Sequence, residues 1–549
     1  MAYTAHVDTF ARDNLPPAEE LPEVFFDLPE LQYPARLNCA AELLDAMVAA
    51  GHGERPALHA LIGGREYACT YRQLLARANQ IARVLVEDLG LVPGNRVLLR
   101  GPNNPMMAAS WFGVIKAGGI AVATMPLLRA KELEPILEKA HVGAALCDVR
   151  LKEELERARS RCRGLQGVLY FNDGGPGSLE AALERKPATF ANVDTAADDV
   201  ALIAFTSGTT GQPKGCMHFH RDVMAMCDAF PRSCLKPSRE DVFCGTPPLA
   251  FTFGLGGMLC FPLRFGASTV LAERLTPETL LDTIRDFRAS VCFTAPTFYR
   301  QMAQIASKYD LASLKKCVSA GEALPDATRQ LFRQATGIEL VDGLGSTEMI
   351  HIFIAHPPER VRRGATGQAI PGYRATVLDD EGNPCPPGTV GRLAVKGPTG
   401  CKYLADERQR IYVEHGWNVT GDAYLMDADG WFFYQARTDD MIISAGYNIA
   451  GPEVESALLA HPAVAECGVV GAPDEERGMI VKAYVVLKHG FAADGATAKA
   501  LQDHVKAAIA PYKYPRAIEF RDALPRTETG KLQRFRLRME AASSAGLRP

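Results

Sequence analysis

A glycine- and hydroxyl-rich loop that directly follows a strand-like apolar run is the feature that most constrains this chain. The run Val200–Phe205 has the length and composition of an interior strand. The ten residues after it, Thr206–Gly215, contain four hydroxyl side chains, three glycines and one lysine. Glycines let backbone N–H groups approach a ligand closely, and successive N–H groups and hydroxyls can bind phosphate oxygens. We therefore predict a phosphate-binding loop, although most clusters of this kind are ordinary solvated turns.

This loop does not follow the Walker pattern GxxxxGK[ST]. Counted from Gly208, the second glycine of that pattern would stand at position 213, which holds proline. Gly215 stands where the pattern needs Ser or Thr. These departures exclude a P-loop kinase or GTPase but leave nucleotide binding in place. The residues expected to bind phosphate are Thr206, Ser207, Gly208, Thr209, Thr210 and Lys214.

Strand-like and helix-like segments alternate along most of the chain. The β-rich runs are Arg96–Leu99, Ile120–Ala123, Ala144–Cys147, Val200–Phe205 and Ser290–Phe293. A helical stretch, Met106–Ala117, separates the first two runs and ends at a pair of glycines. Strands joined by helices of this length predict an α/β fold with parallel, doubly wound sheets. After about residue 367, short β segments broken by turns predict a small barrel-like or mixed-sheet subdomain.

At 549 residues the chain exceeds the size at which a single hydrophobic core stops growing, so we expect more than one domain. The last part of the chain has its own compact β–α pattern. Its segments are Val464–Val470, Val481–Leu487 and Leu501–Ile509. This pattern predicts a small α+β domain at the C-terminal end.

The overall composition is that of an ordinary globular protein, with 47% hydrophobic and 23% charged residues. A net charge of −4 gives no reason to expect nucleic-acid or lipid partners, and no run of about eighteen apolar residues predicts a membrane span. The segment Met1–Pro17 lacks the apolar core of a secretory signal. The fourteen cysteines include no CxxC pair, so we expect reduced thiols and a cytoplasmic location. Cys216, beside the loop, is interpreted as a buried side chain rather than a nucleophile.

The run Thr206–Gly215 resembles the phosphate-binding signature of the adenylate-forming superfamily, which includes acyl-CoA synthetases, firefly luciferase and the adenylation domains of peptide synthetases. Five further matches follow in family order. They are Ser319–Leu324, Asp342–Glu348, Thr420–Asp422, Arg437–Asp440 and Pro525–Lys531. In the family these correspond to the adenine segment, the acidic element after it, the ribose motif, the interdomain hinge and the C-terminal lysine loop. The chain is identified as a member of this superfamily, which implies ATP, Mg²⁺ and coenzyme A as its reaction partners.

Adenylation is the attack of a carboxylate on the α-phosphorus of ATP with pyrophosphate leaving. The resemblance implies that Glu348 binds Mg²⁺ and that Thr347 contacts the α-phosphate, with a helix-capping role for Glu348 as the alternative. Asp422 is expected to accept hydrogen bonds from the ribose hydroxyls. Arg437 would support the ribose, reach a phosphate or form only a surface salt bridge. The residues implied around the adenine are Gly321, Glu322, Ala323, Asp342 and Gly343.

The resemblance assigns catalysis to Lys531, whose ammonium would lie between the carboxylate and the α-phosphate. It also implies that the C-terminal domain rotates about Asp439 after adenylation. The chain would then consist of residues 1–438, which bind ATP and the acid, and a mobile domain of residues 439–549. After the rotation Gly446 and Tyr447 would line the channel for the thiol arm of coenzyme A, where glycine leaves room for pantetheine.

The acid is expected to be aromatic. The run that ends in Glu348-Met-Ile-His-Ile-Phe resembles benzoate–CoA ligases, and Phe251 stands where many plant-type and fatty acyl ligases carry His. Benzoate ligases usually read Phe-Phe-Ala-Tyr-Gly, whereas this chain reads Ala-Phe-Thr-Phe-Gly at 250–254. That change resembles the 2-aminobenzoate–CoA ligase group and favours 2-aminobenzoate, with benzoate as the alternative. The residues implied in the acyl pocket are Phe251, Thr252, Phe253, Gly345 and His351.

Other functions are compatible with the same motifs. An adenylating enzyme that loads a carrier protein would need no free coenzyme A. A luciferase-like oxygenase has no support beyond the shared fold. A nucleotide sensor without catalysis is disfavoured because Glu348, Asp422 and Lys531 are all present. A homodimer is compatible with the sequence, which leaves the oligomeric state open.

Overall fold

The computed structural model describes residues 3–62, 64–206, 213–437, 440–444, 447–474, 477–509, 511–526 and 532–544. Helices and strands alternate along it as predicted, and the α/β class is confirmed. None of the helices in these described ranges combines the length and the apolar character needed to cross a bilayer.

The strands of the first 360 residues belong to two large sheets. In chain order they are β1 Pro56–Ile62, β2 Arg65–Thr70, β3 Arg96–Arg100, β4 Ile120–Thr124, β5 Val142–Asp148, β6 Gly167–Phe171, β7 Val200–Thr206, β8 Lys214–Phe219, β9 Val242–Gly245, β10 Ser268–Leu271, β11 Val291–Thr294, β12 Lys316–Ala320, β13 Leu340–Gly345 and β14 Ile352–Ala355. The strands that follow pair mostly with strands close to them in sequence, and mostly in the antiparallel direction. They are β15 Gln368–Ala369, β16 Arg374–Leu378, β17 Val390–Lys396, β18 Val413–Glu414, β19 Trp417–Met426, β20 Phe432–Arg437, β21 Ile442–Ser444, β22 Tyr447–Ile449, β23 Val464–Asp474, β24 Gly478–Leu487 and β25 Ala517–Phe520.

Helices connect these strands throughout the described ranges. They are α1 Phe10–Asp13, α2 Tyr71–Arg83, α3 Pro105–Lys116, α4 Ala130–Lys139, α5 Lys152–Arg159, α6 Leu179–Leu183, α7 His220–Asp228, α8 Thr252–Leu255, α9 Phe261–Arg264, α10 Pro277–Asp286, α11 Pro296–Ile305, α12 Asp326–Thr336, α13 Gln409–Tyr412, α14 Gly451–Leu459, α15 Gly495–Ala508 and α16 Arg534–Ser544. Local signals define their ends: Asn104 caps α3 by accepting a hydrogen bond from the N–H of Met107, and Gly337 ends α12 at a φ of +75°.

The two large sheets have parallel centres, with antiparallel pairs at one edge of the first sheet and at both edges of the second. One follows the order β6-β5-β3-β4-β7-β8, in which only the β7–β8 pair is antiparallel. The other follows β15-β14-β13-β12-β11-β9-β10-β1-β2, with parallel pairs from β13 to β1. Helix α3 between β3 and β4 is almost wholly buried, as expected for a crossover that covers a sheet face. This arrangement confirms the predicted doubly wound sheets.

Two smaller units complete the chain. Strands β16 to β20 form an antiparallel sheet with the path β16-β17-β19-β18 and β20 beside β19, a path that is open across the described residues. The C-terminal unit packs α14, α15 and α16 on the sheet β23-β24-β25, around its own core of residues such as Val454, Val469 and Val485. The predicted C-terminal β–α pattern is therefore present, while residue 439, the expected hinge, lies outside the described residues.

Candidate active site

The predicted phosphate loop connects two antiparallel strands. Thr206 ends β7 and lies opposite Lys214, the first residue of β8. A Walker loop would lead from a strand into a helix, so this connection agrees with the sequence argument against a P-loop. Residues 207–212, which include four of the predicted phosphate ligands, lie outside the described residues. The hydroxyl of Thr206 is buried and has no hydrogen-bond partner within the described ranges, a state that a phosphate oxygen would relieve.

Lys214 and Glu348 meet at a tyrosine that the sequence argument did not single out. The Lys214 ammonium donates to the Tyr403 hydroxyl over 2.9 Å, and that hydroxyl donates to Glu348 Oε1 over 2.6 Å. Lys214 Nζ and Glu348 Oε1 are themselves 3.8 Å apart. The carboxylate therefore points toward the lysine of the phosphate loop. The capping alternative for Glu348 is wrong, because residues 346–351 form turns and the carboxylate binds Tyr403.

A buried charged group supports the backbone next to Glu348. His218, on β8, donates from Nε2 to the carbonyl of Thr347 over 2.8 Å. Burial lowers the pKa of His218, so its ring is neutral and holds this single proton. Asp222 lies behind it and pairs with Lys402 at 2.9 Å, with both side chains almost fully buried. Burial alone would raise the pKa of Asp222, but the adjacent Lys402 ammonium opposes it, and that pKa lies below its usual range.

The two residues predicted at the ribose form an ion pair. Asp422 and Arg437 are cross-strand partners on β19 and β20, and Arg437 donates to Asp422 Oδ1 over 3.0 Å. Burial raises the pKa of Asp422, and Arg437 opposes that rise. The guanidinium is half exposed while the carboxylate is buried. The structure shows a salt bridge for Arg437, and its contact with the ribose or a phosphate stays a prediction.

The predicted adenine residues follow the carboxyl end of β12. Gly321 has a φ of +88°, and both Gly321 and Ala323 are exposed. Glu322 accepts a hydrogen bond from the Thr297 hydroxyl over 2.8 Å. This contact agrees with the expected structural role of Glu322.

The neighbouring strand β13 brings Asp342 and Gly343 beside the adenine segment. Ser319 and Asp342 are partners across the parallel pair β12–β13, as are Ala320 and Gly343. Burial raises the pKa of Asp342 to about 7, against the opposing effect of Arg329. A Cβ at position 343 would lie 2.5 Å from the terminal methyl of Ile352, so a larger residue there would displace that side chain.

For the predicted lysine loop of the C-terminal unit, the structure describes the flanking residues. Lys531 lies outside the described residues, as do Asp439 and Gly446, and Tyr447 is described only as the first residue of β22. Arg526 and Leu532 pair as an isolated bridge on either side of residues 527–531. Arg526 NH1 lies 3.9 Å from Glu322 Oε1, so one flank of the loop is next to the adenine segment.

Three of the predicted acyl residues, at positions 251–253, lie at the start of a helical stretch that runs from α8 to α9. Its middle, Gly256–Cys260, is π-helical, a form that occurs often at functional sites. Thr252 is buried at the start of α8, and Phe251 and Phe253 are half-buried. The Phe253 ring centroid is 5.7 Å from that of His351. The structure thus brings Phe253 and His351 together, as the sequence argument expects.

His351 lies inside a group of aromatic rings. Its centroid is 4.5 Å from that of Phe261, in an edge-on arrangement, and 5.9 Å from that of Phe230. Burial lowers the pKa of His351 to about 3, and the nearby backbone carbonyl of Phe253 opposes this without meeting the geometry of a hydrogen bond. Both ring nitrogens are buried without a hydrogen-bond partner among the described residues. A neutral imidazole with this free capacity can accept a hydrogen bond and donate another.

Glycine is required at two positions of this region for reasons of packing. A Cβ at position 256 would lie 2.5 Å from the His351 ring, so the helix approaches the imidazole closely. A Cβ at position 345 would lie 2.7 Å from the backbone of His351, where β13 and β14 pair with a register shift. Gly345 was expected to leave room for an aromatic ring, but strand pairing already demands glycine there without any ligand.

Several residues at this site carry no local sequence signal. Tyr403, Lys402 and Phe293 lie tens to hundreds of residues away in sequence from the side chains of Glu348, Asp222 and Phe253 that they contact. Arg526 stands inside the predicted lysine loop motif, but the motif assigns it no partner. Cys216 is fully buried and burial raises its pKa well above the usual range, as expected for a structural thiol.

The chain is similar to known proteins over most of its length. Residues 46–403 match the family profile described as AMP-binding enzyme, and residues 453–531 match the profile described as AMP-binding enzyme C-terminal domain. The benzoate–CoA ligase of Thauera aromatica is 35% identical over 516 residues, which cover 93% of this chain and 97% of that protein.

Solved structures give the same result. The crystal structure of the anthranilate CoA ligase AuaEII in complex with anthranoyl-AMP aligns with a TM-score of 0.89 and 34% identity, covering 95% of this chain and 100% of that one. A benzoate CoA ligase from Burkholderia xenovorans LB400 aligns with a TM-score of 0.82 and 31% identity, covering 91% and 99%.

Proposed function

Because this chain belongs to the AMP-binding enzyme family, we propose that it is an aryl-CoA ligase that activates an aromatic acid in two steps. In the first, a carboxylate oxygen bonds to the α-phosphorus of ATP and the bond to pyrophosphate breaks. In the second, the thiolate of coenzyme A bonds to the acyl carbon and AMP leaves. In this second step the proton of the coenzyme A thiol passes to water or buffer.

One observation carries this proposal. The short segment after β13 holds Glu348 against Lys214 and Tyr403 and, three residues later, His351 inside an aromatic group. A charged region suited to phosphates and a buried aromatic region suited to a ring are therefore joined by one turn. An acid bound with its ring near His351 would present its carboxylate toward the phosphate end.

The residues at the phosphate end fit a nucleotide with Mg²⁺. The described residues place no three His, Cys, Asp or Glu side chains together as a metal cluster, so Glu348 would be a single protein ligand beside phosphate oxygens. Such sparse carboxylate ligation is usual for Mg²⁺ on nucleotides. When bound, Mg²⁺ offsets the negative charge of the triphosphate. Lys214 and the loop hydroxyls would bind phosphate oxygens, Thr347 would contact the α-phosphate, and Asp422 would bind the ribose.

We assign the first step to Lys531 and propose that the C-terminal domain, residues 439–549, delivers it. The position of Arg526 beside Glu322 supports delivery of this loop to the adenine side of the site. The two matched family profiles lie on either side of Asp439, which supports a domain boundary there. Rotation about Asp439 would then withdraw Lys531 and bring Gly446 and Tyr447 to the channel for coenzyme A.

We propose 2-aminobenzoate as the preferred acid. Neutral His351 has acceptor capacity that no described residue uses, and Thr252 supplies a buried hydroxyl on the adjoining helix. An aromatic amine ortho to the carboxylate would donate an N–H to such an acceptor. The likeness to an anthranilate CoA ligase in complex with anthranoyl-AMP supports this choice.

Benzoate is the second candidate, favoured by the 35% identity to a benzoate–CoA ligase. The aromatic contacts of His351 with Phe261 and Phe230 are compatible with a ring that only orients the pocket wall. In that case an unsubstituted ring would be accepted equally well.

The function is tested with a panel of substituted benzoates, fatty acids and 4-coumarate, each supplied with ATP, Mg²⁺ and free coenzyme A. We expect AMP formation that depends on coenzyme A, a thioester product by mass, and the highest kcat/KM for 2-aminobenzoate. Activity only with a carrier protein would replace the proposal with a carrier-loading adenylation enzyme. A higher kcat/KM for benzoate would reject the 2-aminobenzoate preference and retain the aryl-CoA ligase.

A further inference from the structure

Tyr403 stands between two opposite charges that the proposed reaction needs separately. Its hydroxyl accepts from Lys214 over 2.9 Å and donates to Glu348 over 2.6 Å, while the two charged groups remain 3.8 Å apart. A direct ion pair between ammonium and carboxylate has a separation of about 2.7–2.9 Å. The hydroxyl therefore occupies the position in which Lys214 and Glu348 would otherwise touch.

The backbone holds Tyr403 firmly in this position. The segment 402–404 runs antiparallel to β8: Met217 donates to the carbonyl of Lys402, and Leu404 donates to the carbonyl of Gly215, both over 2.8 Å. The Gln409 side chain accepts the N–H of Tyr403 over 2.9 Å. The ring is almost fully buried, so its hydroxyl has little freedom to move away from the two charges.

The chemistry of a phenol suits this bridge. Its hydroxyl has one proton to donate and lone pairs to accept, so it donates to the Glu348 carboxylate and accepts from the Lys214 ammonium at the same time.

We propose that Tyr403 is a positioning residue that prevents Lys214 and Glu348 from closing into a direct ion pair, so that one stays available to phosphate and the other to Mg²⁺. This inference rests on the proposed function of the site. Without the hydroxyl, the two groups would attract each other strongly, because a buried pair is poorly screened. Nucleotide binding would then have to break that pair before either group could take its ligand.

The alternative is that Tyr403 only fills the core beside Tyr412. The two rings pack edge-on at 5.9 Å, and the Tyr412 hydroxyl lies 3.2 Å from that of Ser346. Tyr412 is therefore a matched control: Tyr412→Phe removes a buried hydroxyl from the neighbouring ring and leaves the Lys214 and Glu348 contacts in place.

The experiment compares Tyr403→Phe, Tyr412→Phe and the unmodified full-length protein. Equilibrium binding of the Mg²⁺ complex of α,β-methylene ATP is measured by calorimetry at several Mg²⁺ concentrations. We expect Tyr403→Phe to weaken binding about tenfold, in line with a hydrogen bond to charged groups, and to raise the Mg²⁺ concentration needed for half-saturation. Tyr412→Phe should change both quantities less than twofold.

A second pair of variants, made in the Lys214→Gln protein, distinguishes a role of Tyr403 in keeping the two charges apart from a role in packing. In Lys214→Gln no ion pair can form, so adding Tyr403→Phe should cost much less there than in the unmodified protein. An equal cost in both backgrounds would mean that Tyr403 acts by packing and would overturn the inference. Melting temperatures check folding, and if Tyr403→Phe does not fold, Tyr403→Leu is compared with Tyr412→Leu in the same assay.

The outcome is distinguishable from a failure of the proposed function. If the protein forms aroyl-CoA and Tyr403→Phe binds the Mg²⁺–nucleotide as tightly as the unmodified protein, the inference fails and the function stands. If the protein binds the Mg²⁺–nucleotide, loses affinity in Tyr403→Phe and forms no aroyl-CoA from any acid, the function fails and the inference stands.

Discussion

At the phosphate end of the candidate site, formed by Lys214, Tyr403 and Glu348, every charge has a hydrogen-bond partner. At the acyl end, formed by Thr252, Phe253 and His351, the imidazole has none among the described residues. The first arrangement fixes the charged groups that the proposed reaction with ATP needs, whichever acid is activated. The second leaves hydrogen-bonding capacity that only an acid with a suitable polar substituent would use. Paired charges thus suit catalysis common to all acids, and an unpaired buried polar group suits selection among them.

This contrast has a measurable form. A change at the phosphate end should lower the rate with all acids by the same factor, because the triphosphate is common to them. A change at the acyl end should alter the ratio between acids.

The largest effect is expected from Lys531→Ala. Loss of the cation that stabilises charge in the first step should lower adenylation about 10³-fold, equally for 2-aminobenzoate and benzoate. Thioester formation from supplied aroyl-AMP should remain largely intact. Pyrophosphate exchange and single-turnover thioester assays measure the two steps, with the exposed Lys499→Ala as control. Equal losses in both steps would reject this division of labour.

The acyl end should make stability depend on pH through His351. Its pKa is lowered to about 3 in the folded protein, whereas the unfolded chain titrates near 6.5. The unfolded state therefore binds more protons between these values, and stability is complete above about pH 6.5 and falls as the pH decreases. At pH 5 the loss is about 2 kcal/mol. In urea titrations, the free energy of unfolding should fall less between pH 7.5 and pH 5 in His351→Phe than in the unmodified protein, by about that amount.

The exposed His489→Phe is the matched control and should leave the pH dependence unchanged. If His351→Phe has the same pH dependence as the unmodified protein, the imidazole is not held neutral at the acyl end, and the contrast between the two ends weakens.

A change at the predicted hinge should affect the rates of the two reaction steps differently, without distinguishing the phosphate end of the site from the acyl end. Asp439→Pro fixes φ near −65° and should slow thioester formation about tenfold while changing adenylation little. Rapid-quench measurement of each half-reaction tests this prediction. Asp474→Pro in the same unit is not a suitable control, because Asp474 belongs to the strand β23. Normal rates in both steps would show that Asp439 is not the pivot.

The smallest effect is expected from Thr252→Ala. Loss of one hydrogen bond to the ring amine costs about 0.5–1.5 kcal/mol, roughly threefold to tenfold in specificity. The kcat/KM ratio of 2-aminobenzoate to benzoate should fall by that factor, while kcat/KM for benzoate stays near its original value. An equal fall in kcat/KM for both acids would mean that Thr252 contributes to packing and not to selection between the acids.

Much of the fold was predictable because its signals are local. The runs at 96–99, 120–123 and 200–205 are all strands, each within one to a few residues of its predicted ends. The helix predicted at 106–117 spans Pro105–Lys116. The region after residue 367 was harder to predict in detail, since short antiparallel strands fit either a closed barrel or the open sheet path that is described here.

The candidate site was predictable only in part. Motif order placed Lys214, Glu348, Asp422 and Arg437 in one site, and the structure brings the first two within 3.8 Å and pairs the last two. Tyr403 was missed because it lies 189 residues from Lys214 and belongs to no recognisable spacing. The packing requirement at Gly345 was missed because it depends on how β13 pairs with β14.

The sequence by itself determined the α/β class, the order of the motifs and the nucleotide chemistry, since alternation of apolar runs and clusters of hydroxyls and glycines are properties of neighbouring residues. Only the tertiary structure decided that Tyr403 separates Lys214 from Glu348 and that His351 is buried without a partner. Those relations join residues far apart in the chain. They arise because the edge strand β8 of one sheet contacts the turn that joins β13 and β14 of the other, and burial there sets which charges must pair and which polar atoms remain for a ligand.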